Sequence, residues 1–148
     1  MMRYELIIDK EQEESIVIVA HEKNELVKEI EELIKRNEFE LIGYKENEMV
    51  PLKLTDIYCF YTSDGRVYAM VKNNEYLIKY RLYQVEEVAN ESFVKLNQGC
   101  LVNISKIKKF TASISGSIMV ELKNGFKEHI SRRELQNVKR RLGLWKNI

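Results

Sequence analysis

Few side chains here have the chemistry to attack or hold a substrate. The cysteines are Cys59 and Cys100, and the histidines are His21 and His129. The thiols lack the CxxC spacing of a redox or zinc site, and four scattered ligands are too few for a metal centre. A Cys100–His129 pair is the one nucleophile–base combination on offer. A working pair also needs a third group to orient the base, and nothing in the sequence nominates one. There is no glycine-rich phosphate loop and no HExxH motif. The expectation is therefore a non-enzyme without metal or cofactor. Its two cysteines read as structural thiols in a reduced cytoplasm.

Charge carries more information. The net value is +1 over 148 residues, but residues 1–50 hold 7 basic and 14 acidic side chains, a balance of −7, and residues 51–148 hold 17 and 9, or +8. From Ser92 onward the count is 12 against 3, a balance of +9. An acidic segment joined to a basic unit suggests that the basic part meets a polyanion. The competing explanation is a solvated surface with chance clustering.

Those charges need elements to position them. The sequence predicts a small β-β-α-β leader over residues 1–48. Residues 4–8 and 15–19 are β-branched runs of strand length. Leu26, Val27, Ile30, Leu33 and Ile34 then mark one apolar stripe of a helix, with Asn24 as its N-cap. Residues 40–44 read as a further strand. Some 48 residues are few for an independent domain, and also too few for a phosphoacceptor receiver domain, whose parallel sheet is covered on both faces. The longest apolar runs are too short to span a bilayer, and the N-terminus lacks the apolar stretch of a signal peptide.

From Pro51 the texture becomes all-β, with short strands between turn signals, so residues 49–148 form the second unit. Asp64-Gly65 between two β-branched and aromatic runs marks a hairpin, and Lys72–Glu75 a second turn. A short helix is expected over 82–89, ended by Asn90. Strands are expected near 107–110, 118–122 and 126–130, the last two joined by Lys123-Asn124-Gly125. Ser131-Arg132-Arg133-Glu134 is a Ser-x-x-Glu capping box that opens a final helix. Leu135, Val138 and Leu142 form its inward stripe and Gly143 its C-cap. The opposite side offers Arg132, Arg133, Lys139, Arg140 and Arg141. The tyrosines at 58, 61, 68, 76 and 80 read as sheet packing, and Asn103 as a residue that holds a turn.

Residues 93–104, Phe-Val-Lys-Leu-Asn-Gln-Gly-Cys-Leu-Val-Asn-Ile, resemble the signature segment of LytTR DNA-binding domains. That family shows Phe-x-Arg-x-(His or Ser)-x-Ser followed by aliphatic-Val-Asn. Ile104-Ser105-Lys106-Ile107, Asn124-Gly125 and Ser131-Arg132 match its downstream motifs in order. Val50-Pro51-Leu52, residues 57–60 and the Asp64-Gly65 hairpin match its early strands. The likeness covers roughly residues 50–143. The leader is similar to the N-terminal segment of stand-alone LytTR regulators, which lack a receiver domain.

The resemblance implies a mostly β fold of stacked small antiparallel sheets with a C-terminal helix. It also implies sequence-specific binding of duplex DNA by a transcription regulator whose three loops enter successive major grooves. Carried over by position, the first loop holds Asp64 and Arg66, the second Asn97 and Gln98, and the third Arg132. Arginine suits guanine and the amides suit adenine. Lys95, Lys106, Lys108, Lys109 and Arg133 suit phosphate. Lys95 stands where the family often has Arg, and Gly99 where it often has Ser; a lysine keeps the charge but loses the bidentate fork. Paired repeat sites, a homodimer at least on DNA and restraint by a small membrane protein are further implications. Two other readings stay open: an adaptor whose basic face meets an acidic protein, and an RNA-binding module, for which the aromatic stacking motifs are missing.

Overall fold

Alternation of apolar and polar residues governs most of the chain. The computed structural model describes residues 3–38, 40–89 and 91–143. Its elements run α1 (Glu25–Glu38), β1 (Glu40–Lys45), β2 (Glu48–Lys53), β3 (Cys59–Ser63), β4 (Arg66–Val71), β5 (Asn74–Ile78), α2 (Leu82–Ala89), β6 (Phe93–Asn97), β7 (Cys100–Asn103), β8 (Ile107–Ala112), β9 (Ile118–Leu122), β10 (Lys127–Ile130) and α3 (Arg132–Leu142). Seven strands form one sheet in the order β2-β1-β5-β4-β3-β7-β6, and β10-β9-β8 form a second. Every pairing is antiparallel.

Because side chains alternate along a strand, the larger sheet feeds two cores. Phe60, Ala69 and Leu101 face α2, where Leu82, Val85 and Ala89 close the first core. Cys59, Val94, Leu96, Cys100 and Val102 face the smaller sheet and α3, where Val120, Leu122 and Val138 close the second. Residues two apart thus share a core and neighbours divide between the two. The fold is mostly β, stacked and antiparallel, with a C-terminal helix, as expected.

The leader is only partly as expected. The helix forms, and Asn24 caps it by accepting from the Val27 N–H at 3.0 Å. The third strand also forms, as β1. It pairs with β2 along its whole length and meets β5 at Tyr44–Leu77, and Leu41 lies in the first core. The expected strands at 4–8 and 15–19 are absent, since neither segment has a ladder partner. Strand propensity cannot replace a partner, and within the chain nothing lies alongside these runs. Residue 90, the expected stop of α2, falls outside the described residues.

Candidate nucleic-acid interface

The β3–β4 hairpin turns through Asp64 and Gly65, with φ of 52° and 74°. Positive φ at both centres defines the type I′ turn, whose twist suits a two-residue hairpin. Arg66 follows at the start of β4. It is exposed, and its guanidinium has no partner among the described residues.

The β6–β7 turn holds Gln98 and Gly99. Thr62 donates its N–H to the Gly99 carbonyl at 2.9 Å, fastening this turn to the hairpin. A Cβ at Gly99 would sit 2.7 Å from Thr62 Oγ1, so the close approach requires glycine. That accounts for the departure from serine at this position. Asn97 is engaged at both ends: its Oδ1 accepts from Gly99 N–H at 2.9 Å, and its Nδ2 donates to the His129 carbonyl at 3.0 Å. Gln98 beside it is exposed and unpartnered among the described residues.

The third loop joins β10 to α3. Ser131 Oγ accepts from Glu134 N–H at 3.3 Å, forming one arm of the capping box. The reciprocal arm does not form, because Ser131 N–H donates instead to the Leu96 carbonyl at 2.8 Å. This ties the third loop to β6. Arg132 and Arg133 stand exposed in the first turn of α3. Gly143 ends the helix with a left-handed φ of 63°. Arg141 is not on the open side: its Nη1 donates to the Phe93 carbonyl at 2.6 Å and its Nη2 to the Glu91 carbonyl at 3.1 Å.

Four hydrogen bonds therefore hold the three loops together: Thr62–Gly99, Asn97–Gly99, Asn97–His129 and Ser131–Leu96. A cleft of about 530 Å³ opens beside them, lined by Asp64, Arg81, Tyr83, Glu86, Lys95 and Gln98 among others. Lys95 is half-buried there with its Nζ 4.0 Å from Glu86. Arg81, exposed just before α2, was not singled out in the sequence. Its place beside the loops depends on α2 lying against β3 and β6, which spacing along the chain does not reveal.

The remaining lysines lie elsewhere. Lys106 Nζ sits 4.9 Å from the ring centre of Tyr58, whose N–H bonds Met70 near the end of β4 remote from Arg66. Lys108, Lys109 and Lys127 surround the Glu121 carboxylate at 3.7–3.8 Å. A register shift between Ile107 and Lys109 turns two consecutive lysines toward one acid. These cations are set apart from the three loops rather than beside them.

The thiols are inert where they stand. Both are fully buried, and burial pushes Cys59 up to about 12 and raises Cys100 as well. His129 is exposed, with its ring Nδ1 2.8 Å from Glu128 Oε1. Asn103 holds the chain after β7, donating to the Ile57 carbonyl at 2.9 Å and accepting from Ser105 N–H at 3.1 Å. Among the described residues no cluster of metal ligands occurs, and no helix is long and apolar enough to cross a membrane.

Residues 47–143 match the family of LytTr DNA-binding domains. The LytTr DNA-binding domain of a methyl-accepting/DNA response regulator from Bacillus cereus has the same fold. It superposes with a TM-score of 0.67 at 17% identity, over 71% of this chain and 97% of that one. Uncharacterized HTH-type transcriptional regulators of Staphylococcus aureus strains MSSA476 and MW2 are each 29% identical over 147 residues, covering 97% of this chain and 100% of theirs.

Proposed function

The chain belongs to the LytTR DNA-binding family, and on that premise we propose that it is a transcription regulator reading duplex DNA in the major groove through three loops, with no catalytic role. What supports this reading is the hydrogen-bonded unit made by the loops, which fixes their spacing before any ligand arrives. Fixed spacing lowers the ordering cost of binding.

Within that unit the roles divide by availability. Arg66, Gln98 and Arg132 are exposed and unpartnered among the described residues, so they are the base readers. Asn97 has both ends of its amide engaged and positions the second loop against the third. Asp64 shapes the hairpin tip with its positive φ. Lys95, Arg81 and Arg133 supply phosphate contacts, and the N-terminus of α3 adds backbone donors. Lys106, Lys108 and Lys109 serve phosphates only where the duplex continues past the loops. The protein works in the cytoplasm as a pair of copies on repeated sites, and a small membrane protein restrains it.

Competition at equal salt tests the ligand class. Labelled duplex from the region upstream of the coding sequence should be displaced by the same duplex unlabelled and not by single-stranded RNA of equal length. Displacement by the RNA at equal concentration overturns the reading.

A further inference from the structure

The leader holds the least explained feature of the molecule. Leu6, Ile7, Ile8, Ile16, Val17 and Val19 are between 67% and 93% exposed, and neither core includes any residue before Leu41. Residues 10–12 turn, with Glu11 N–H bonded to Asp9 Oδ1 at 3.0 Å, so the two runs are joined as a hairpin would be. In each run apolar residues fall on both faces, the pattern of strands covered on both sides. A lone two-stranded hairpin is marginal in water; three or more strands with a covering layer are needed. One copy supplies two strands and one helix, α1, whose Leu26 and Leu33 are themselves 41% and 50% exposed.

We propose that residues 4–8 and 15–19 pair with the same segments of a second copy about a twofold axis. The product is a four-stranded sheet covered on one face by the two α1 helices. Each chain brings half of this two-layer unit, and the symmetric pair completes it. The six apolar side chains expose on the order of 500 Å² per copy. Two copies supply about 1,000 Å², and the α1 stripes bring the total into the roughly 1,200–2,000 Å² of a stable interface. The balance of −7 over residues 1–50 disfavours an anionic lipid surface as the occupant. The basic loops lie outside this contact, so the pair can hold two reading units. The dimer forms without DNA, and it stands or falls independently of the reading role of the loops.

Sedimentation of the full chain without DNA, from about 1 to 100 µM, tests it. The expected result is a dimer at twice 17.6 kDa. Ile7→Asp with Val17→Asp should raise the dimer Kd at least 100-fold, and Arg66→Ala should leave it unchanged. Hydrogen exchange on the unaltered chain gives a second readout: amides 4–8 and 15–19 should gain protection as concentration rises. A chain that stays monomeric at 100 µM, or amides with concentration-independent exchange, overturns the proposal. So does a dimer that survives both substitutions, or a monomer that pellets with phosphatidylglycerol–phosphatidylcholine vesicles.

Discussion

Asn97 Nδ2 donates to the main-chain carbonyl of His129 at 3.0 Å, bridging the second loop to the strand that leads into the third. The residues are 32 apart in sequence, and the bond fixes the separation of the two loops. Asn97→Ala removes this donor and the acceptor for Gly99 N–H. Stability should fall by about 1–2 kcal/mol, and affinity should drop alike for native and scrambled DNA. Urea denaturation with binding to both duplexes checks this; a loss confined to the native duplex would make Asn97 a base reader.

Gly99 and Thr62 are matched in size. Gly99→Ala places a Cβ 2.7 Å from Thr62 Oγ1 and should cost about 1–3 kcal/mol. Adding Thr62→Ala removes the obstructing hydroxyl and should restore more than half of the loss. A double-mutant cycle in thermal unfolding measures the coupling, and additive effects would contradict the account.

Arg141 and Arg140 stand one residue apart and differ in use. Arg141 bonds two main-chain carbonyls, whereas Arg140 bonds only Asn137 in its own helix. Arg141→Ala should cost about 1–3 kcal/mol, and Arg140→Ala under about 0.5 kcal/mol. Urea midpoints of the two variants check the difference.

Burial of Cys59 sets a pH dependence. Its ordinary value of 9.0 is pushed up to about 12 in the fold. Below pH 9 the thiol is protonated in both the folded and unfolded chain and contributes no slope. Between pH 9 and about 12 the unfolded chain ionises first, so stability falls as pH rises. Cys59→Ala should flatten that slope, as followed by urea denaturation between pH 8 and 10.5.

Much of this architecture was legible in the residues. Asp64-Gly65 demanded a turn with positive φ, and Ser131 with Glu134 marked the start of α3, because both signals act within four residues. The three loops came from the resemblance; the bonds joining them did not, since Thr62–Gly99 and Asn97–His129 depend on strand order. Arg141 could have been read: it lies three residues past buried Val138, which puts it beside the inward stripe. The leader strands were misjudged for a different reason, because propensity states what a segment can do and pairing requires a neighbour the chain does not supply. The Lys106–Lys109 cluster looked continuous with the basic C-terminal half, yet its partners lie toward the far end of β4.

The central claim is that this protein reads sequence and does not merely attract phosphate. Fluorescence anisotropy with the native upstream duplex and a scrambled duplex, across a salt series, tests it most directly. The account predicts a preference for the native duplex that persists as salt rises, and that shrinks by about 1–3 kcal/mol in Arg132→Ala. Equal binding to both duplexes, lost together as salt rises and indifferent to Arg132→Ala, would contradict it.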